Sequence, residues 1–210
     1  IVHGKEIAQH VINKLKSKSD YTKRICFVQF GTDAASASFI KRKMKIADEL
    51  KIRADVLHEP NPLSMDWAIR TMKEVIAKNY DGIILQLPLP HNLNAYALIN
   101  MVPPSQDIDV LGDVMIQRFR GGITKRLPPV AFAVAQIIKH YDVSLTGKNI
   151  VVLGKGKLVG EPVLDWFKTQ GVEARGFEYS SDKIERNIAL KNADIVVTGI
   201  GSCHFIKPDM

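Results

Sequence analysis

The 210-residue chain is expected to fold as an α/β protein of two domains, each built on a parallel sheet. Three observations carry this expectation. Up to residue 87, helical periods and short apolar runs alternate as αβαβαβ, the pattern of parallel strands joined by crossover helices. From Lys148 a second apolar run leads into a glycine-rich turn and a new helix start. Between them Arg118–Lys125, with Gly121-Gly122, followed by Pro128-Pro129, reads as a hinge. The domains are accordingly placed at residues 1–122 and 123–210.

The elements follow in order. Glu6–Lys16 carries Ile7, Val11, Ile12 and Leu15 at helical spacing. Ile25–Phe30 reads as a buried strand ending at Gly31. Ser36 is the expected cap of a helix running to about Leu50, with Phe39, Ile40, Met44 and Ala47 facing inward. Ala54–His58 is a second strand, Met65–Lys78 a helix, and Gly82–Leu87 the third strand. Ile83, Ile84 and Leu85 form a continuous apolar run that suits a strand covered on both faces. Pro88 and Pro90 lack the N–H a ladder requires, so the strand stops there. Asn94–Met101 reads as a helix ended by Pro103-Pro104, and residues 105–109 as a loop. Ala131–His140 is a strongly apolar helix. Ile150–Leu153 is a buried strand, Val163–Lys168 starts a helix, Phe177-Glu178 ends a strand, and residues 193–201 give a further strand and turn.

Composition narrows the function classes. Apolar residues make up 46% of the chain, enough for sizeable cores, and no run is long and apolar enough to span a bilayer. No charged-then-apolar leader is seen, and Ile1 in place of Met suggests a trimmed start. Cys26 and Cys203 are expected as reduced core thiols, which suggests a reducing compartment, and no Cys/His spacing resembles a metal site. The net charge of +7 is densest at Lys41-Arg42-Lys43-Lys45. No nucleic-acid motif or aromatic interleaving accompanies that cluster, so nucleic-acid binding is not expected.

Four features carry candidate chemistry. Gln86 falls at the carboxyl end of its strand, where open α/β sheets bind ligands; it is either a recognition residue or a strand end facing water. Phe39 and Lys43, four apart, share a helix face; they form a pocket wall, or are core and solvent respectively. Asp107 and Asp109 flank one apolar residue and point opposite ways if extended, one to a cleft and one to cap structure; as a loop pair they are also ordinary turn formers. Gly154, Gly156 and Gly160 follow a strand and precede a helix, where bare backbone and a helix N-terminus suit a pyrophosphate. Glu178, at the next strand end, is placed to hold a ribose hydroxyl pair.

Gln86-Leu-Pro-Leu-Pro90 together with Asp107-Ile-Asp109 resembles the bifunctional methylenetetrahydrofolate dehydrogenase/methenyltetrahydrofolate cyclohydrolase family. Gly4-Lys5, the Ser36–Lys45 helix, Gly154–Pro162 and Ala193–Val197 fall in the family's order, so the resemblance covers essentially the whole chain. It implies an N-terminal folate-binding catalytic domain, a Rossmann-type NAD(P)-binding domain, and substrate in the cleft between them. Lys43 corresponds to the catalytic lysine, Gln86 to its partner and Asp109 to the pterin-binding aspartate. Substrate contacts are implied for Phe39, Gln86, Leu87, Pro88 and Asp109. Cofactor contacts are implied for Gly154, Lys155, Gly156, Lys157, Val159, Gly160 and Glu178, and no metal is implied. Lys43 is expected to handle protons at the one-carbon centre, oriented by Gln86. Its ammonium pKa is expected to be lowered by the developing cation and by Lys41 and Lys45. NADP is the implied cofactor, with NAD as the alternative because Glu178 would repel a ribose phosphate while Lys155 would attract one. Tetrahydrofolate one-carbon derivatives are the implied substrates, and a cytoplasmic homodimer serving one-carbon metabolism and purine biosynthesis is expected.

The sequence also departs from the family. Phe39 replaces the usual active-site tyrosine. Pro128–Ala133 replaces a Pro-Cys-Thr-Pro-x-Gly segment, Val110 a glycine, Gln106 a lysine, and Lys155-Gly156 an Arg-Ser pair. The chain stops at Met210, short of where the family continues, so the second domain is expected to be incomplete. The departures admit two alternatives, a relative keeping one activity or a non-catalytic folate- or nucleotide-binding protein. The joint presence of Lys43, Gln86 and Asp109 argues against the second.

Overall fold

The computed structural model describes residues 2–17, 22–202 and 205–207. It divides into two compact units, one of residues 3–118 and one of residues 119–210 with the first two residues.

The first unit contains α1 (Gly4–Lys16), β1 (Arg24–Phe30), α2 (Ala34–Glu49), β2 (Arg53–Glu59), α3 (Met65–Ala77), β3 (Gly82–Leu85), α4 (Ala95–Met101) and most of α5 (Asp113–Arg120). Its three strands are parallel in the order β2-β1-β3. Strand alternation divides the core. Cys26, Val28 and Phe30 of β1 pack with Ala68, Met72 and Val75 of α3 on one face. Phe27 and Ile84 pack with Ile40 of α2 on the other. With both faces covered, β3 is apolar at every position and buried throughout.

Helix starts follow local capping chemistry. Ser64 accepts from the N–H of Trp67, and Asn94 from that of Ala97. At α2 the cap is Asp33, not Ser36 as expected: the Asp33 carboxylate accepts from the Ser36 N–H at 2.6 Å. Ser36 instead lies buried in the first turn.

The second unit contains α6 (Pro129–His140), β4 (Ile150–Leu153), α7 (Gly160–Thr169), β5 (Ala174–Phe177), α8 (Lys183–Lys191) and β6 (Ile195–Thr198). Its sheet is again parallel, in the order β5-β4-β6. Val151, Leu153 and Phe177 pack with Ala189 and Leu190 of α8, while Val163 and Phe167 of α7 are fully buried.

The two units use one design. In each, the chain starts at the central strand, crosses to one side, and returns to the other. Such a reversal opens a ligand crevice at the carboxyl ends of the strands. The opposite ends are clasped alike. Asp81 accepts from the Arg24 N–H and the Lys23 ammonium at 2.8 and 2.9 Å. Asp194 accepts from the Asn149 N–H and the Lys148 ammonium at 2.8 and 3.0 Å. Where each central strand ends, a glycine turns with positive φ, Gly31 at +88° and Gly154 at +84°.

Several expectations are corrected. β3 ends at Leu85, so Gln86 lies just beyond it, although its N–H still donates to Val28 O. α5 and α8 were not anticipated, and the first three residues of the expected hinge, 118–120, belong to α5. Phe39 does not face inward; it is 54% exposed. Cys26 is a buried free thiol whose pKa burial pushes up, whereas Cys203 lies outside the described residues. Among the described residues no helix is long and apolar enough to cross a membrane, and no cluster of three or more His, Cys, Asp or Glu could hold a metal ion.

Candidate active site

The first unit brings Lys43 and Asp109 together. Lys43 projects from α2, and its ammonium lies 3.5 Å from Asp109 Oδ2. It also sits over the Phe27 ring, 5.9 Å from the centroid, within cation–π range. Lys41 and Lys45, two residues to either side, are exposed and project away, since residues two apart on a helix do not share a face. The charge facing Lys43 is therefore a carboxylate, not the neighbouring cations expected from the sequence.

Asp109 arrives from the segment after α4. That segment is more than a loop: Ile83 N–H donates to Gln106 O at 2.8 Å, and Asp107 makes a single parallel bridge to Ile83. The segment thus runs along the free edge of β3. Its alternation separates the two carboxylates. Asp107 is buried and accepts from the N–H groups of Leu111 and Gly112, at 3.1 and 2.8 Å to Oδ2. Asp109 keeps a fifth of its side chain open and meets Lys43. Burial pushes the Asp109 carboxyl up, and the Lys43 ammonium opposes that rise. Gln106 ties the segment back by donating to Tyr80 O at 2.7 Å.

Gln86 stands at the carboxyl end of the sheet but makes no hydrogen bond to Lys43. Its amide N–H donates to Leu87 O at 2.8 Å. Its carbonyl oxygen is buried without a partner, an open acceptor whose desolvation a ligand donor would offset. Leu87 O also accepts from Ser36 Oγ at 3.2 Å, so α2 holds the loop directly. The Leu87–Pro88 peptide is cis, and Pro88 is exposed. The tie of the first turn of α2 to Leu87 leaves no mark in the sequence, because a buried serine inside a helix gives no periodic signal. Phe39, one turn before Lys43, offers an exposed ring with no hydroxyl.

The second unit places the glycine-rich turn between β4 and α7. A Cβ on Gly160 would sit 1.7 Å from Gly154 O, so only glycine allows α7 to start against the turn. Gly154 approaches the loop after β6, where a Cβ would come 3.2 Å from Gly199 C. The side chain of Val159 closes on Gly199 in turn, 2.6 Å from where its Cβ would lie. Gly156, Lys155 and Lys157 are exposed. The bare backbone at the start of a ten-residue helix fits an anionic pyrophosphate. The Lys155 stem lies over Gly176 of β5, the strand that ends beside Glu178. Glu178 is exposed, and its N–H donates to Ser181 Oγ at 2.8 Å. Pro128–Ala133 forms the start of α6, with Pro129 in its first turn.

Comparison with known proteins returns two family matches. Residues 2–109 match the family pattern described as tetrahydrofolate dehydrogenase/cyclohydrolase, catalytic domain. Residues 128–210 match the pattern described as its NAD(P)-binding domain. The bifunctional protein FolD of Clostridium beijerinckii is 31% identical over 98% of this chain and 75% of its own length. Two solved structures share the fold. The bifunctional FolD enzyme of Campylobacter jejuni superposes with a TM-score of 0.91 at 20% identity, covering 98% of this chain and 75% of the other. The Trypanosoma brucei FolD, solved with NADP cofactor and inhibitor, gives 0.90 at 20% identity, covering 96% and 72%.

Proposed function

The chain belongs to the tetrahydrofolate dehydrogenase/cyclohydrolase family, and from that premise we propose how its own residues carry out one-carbon folate interconversion. The reaction is NADP-dependent oxidation of methylenetetrahydrofolate to methenyltetrahydrofolate, then hydrolysis to formyltetrahydrofolate. The observations that carry the reading are the Lys43–Asp109 pair and the open Gln86 carbonyl, the latter at the carboxyl end of a sheet whose topology opens a crevice there.

Asp109 accepts hydrogen bonds from the amino group and ring N–H of the pterin, a charge-assisted pairing. The exposed Phe39 ring stacks on the substrate. Gln86, Leu87 and Pro88 line the same end of the sheet, Gln86 giving its unpartnered oxygen to a donor. Bound NADP supplies the acceptor for the hydride that leaves the one-carbon bridge. Gly156 leaves backbone bare for its pyrophosphate while Gly154 and Gly160 pack the turn closely against α7, with Lys157 and Val159 flanking it, and Lys155, whose stem lies over Gly176, is taken to reach the ribose end. That placement of Lys155 favours NADP over NAD, although the Glu178 carboxylate opposes a ribose phosphate.

Loss of hydride leaves an electrophilic methenyl carbon. Water adds to that carbon and loses a proton; the hydroxyl of the adduct then loses its own as the formyl carbonyl forms, and a ring nitrogen gains one as the carbon–nitrogen bond breaks, so one proton is released overall. Lys43 moves these protons. Asp109 holds the Lys43 ammonium near the substrate position, the part the sequence suggested for Gln86. The family tyrosine hydroxyl is absent at Phe39, so Lys43 acts with one hydrogen-bond partner fewer. A homodimer formed through the second unit, and a cytoplasmic site of action, follow from the same inference.

The test is to mix purified protein with methylenetetrahydrofolate and NADP, and separately NAD, and follow methenyl and reduced-nicotinamide absorbance. Equal formation of both, with methenyl then decaying faster than in buffer, is expected. No reduction of either nucleotide would refute the dehydrogenase. Accumulation of methenyl product at the buffer rate of decay would refute the cyclohydrolase.

A further inference from the structure

Arg186 of α8 is a buried cation with no role so far. It is 4% exposed, and its guanidinium is always charged. Among the described residues no carboxylate pairs with it. The acids nearest in sequence are committed elsewhere. Glu185 pairs with Arg175 at 2.7 Å, and Asp182 caps α8 by accepting from the Glu185 N–H at 2.8 Å. Of the Arg186 donors, Nη1 reaches Tyr179 O at a long 3.3 Å, and Nε is buried without a partner. The guanidinium also lies over the Phe205 ring, 4.9 Å from its centroid. One long hydrogen bond and a ring face compensate a buried charge poorly, so an anion beside it is favoured.

Its place in the fold points to the anion. Tyr179 directly follows Glu178, in the turn that leaves the carboxyl end of β5 and closes with Ser181 N–H donating to Glu178 O. In this topology the adenosine ribose of a dinucleotide rests at that turn. A carboxylate there suits a free ribose diol and repels a ribose phosphate. The Glu178 side chain is exposed and does not pair with Arg186. Arg186 sets the opposite charge behind the same turn. Burial leaves that charge less screened by water and salt than the exposed Lys155 ammonium.

We propose that Arg186 determines the cofactor preference: its unpaired charge, held one residue past Glu178, favours a phosphate on the 2′ oxygen of the adenosine ribose and so selects NADP over NAD. The proposal rests on the placement of the dinucleotide on the second unit given above. It concerns the adenosine end alone, so hydride transfer and the folate site are outside its reach.

The experiment titrates wild type, Arg186→Leu and Arg186→Lys with NADP, NAD, adenosine 2′,5′-bisphosphate and adenosine 5′-monophosphate. The two fragments differ only in the 2′-phosphate. Wild type is expected to bind the bisphosphate about tenfold or more tighter than the monophosphate. Arg186→Leu removes the charge and keeps an apolar side chain in the buried position. It is expected to lose about tenfold in affinity for NADP and the bisphosphate, with NAD and the monophosphate within about twofold of wild type. Arg186→Lys keeps the charge and is expected to retain most of the preference. Where the leucine variant does not fold, Arg186→Gln, uncharged and polar, gives the same comparison. A merely structural role would weaken all four ligands together, and that result would overturn the proposal. So would an uncharged variant with the wild-type ratio of bisphosphate to monophosphate affinity, or a wild type that binds the two fragments equally. Failure of wild type to bind any of the four would instead sink the dinucleotide reading, and this proposal with it.

Discussion

Gly160→Ala tests the nucleotide turn. The added Cβ would lie 1.7 Å from Gly154 O, 2.7 Å from Gly154 C and 2.8 Å from Lys155 Cα. These are backbone atoms, which no rotamer change can move aside. Real contacts of this kind lie beyond about 3 Å, so the turn and the start of α7 must separate by about 1.3 Å or more. Gly154 has little room to yield, since its N–H is bonded to Phe177 O at 2.7 Å and its Cα approaches the Gly199 loop. The cost belongs at the upper end for overpacking, about 3 kcal/mol. For a unit of this size that lowers the melting midpoint by on the order of 10–20 °C. The assay is a thermal melt of the full chain beside calorimetric titrations with NADP and tetrahydrofolate. NADP affinity is expected to fall by at least about a hundredfold, on the order of the same free energy, while tetrahydrofolate still binds the first unit. A variant that melts with wild type and binds NADP within about twofold would refute the packing argument and the placement of the pyrophosphate.

Two further perturbations have defined outcomes. Asp109 has its carboxyl pKa raised by burial, so folate binding should be lost on acidification at a higher pH than for an ordinary carboxylate. Lys43 opposes that rise, so Lys43→Met should move the acid limb of tetrahydrofolate affinity higher still, whereas Asp109→Asn should abolish it; a limb indifferent to both changes would exclude Asp109 as its source. For folding the sign is the reverse of the usual carboxylate case, since the raised pKa gives stability present at low pH and lost as pH rises through it. Ser36→Ala removes one of two donors to Leu87 O and should cost about 1 kcal/mol in a urea melt; KM should rise as the Gln86–Pro88 loop loosens, and an unchanged KM would show that Gln86 alone holds it.

How much of this was legible in the sequence depended on the kind of signal. Ile83–Leu85 and Ile150–Leu153 are unbroken apolar runs, and both are fully buried strands. The glycine turn was legible because its spacing is a backbone requirement that side-chain chemistry cannot disguise. α8 was not legible because its apolar pattern misleads: Ile184 and Ile188 are exposed, while Arg186, Ala189 and Leu190 are buried. α5 was hidden by its polar first look and by the glycines that follow it. At α2, Asp33 and Ser36 are both good capping residues, and only the backbone decides between them. Phe39 sits one position from the inward row of Ser36, Ile40 and Ala47, close enough for periodicity to assign it wrongly. The orientation of the Gln86 amide depends on the Leu87 carbonyl beside it, which no sequence pattern encodes.

The central claim is that Lys43, held by Asp109, moves the protons of the hydrolytic step. Its most direct test is the decay of preformed methenyltetrahydrofolate in the presence of wild type and of Lys43→Met, each first shown to bind tetrahydrofolate and NADP. The account predicts that wild type accelerates decay and that the methionine variant leaves it at the buffer rate while binding NADP unchanged. Hydrolysis by Lys43→Met at the wild-type rate would contradict it.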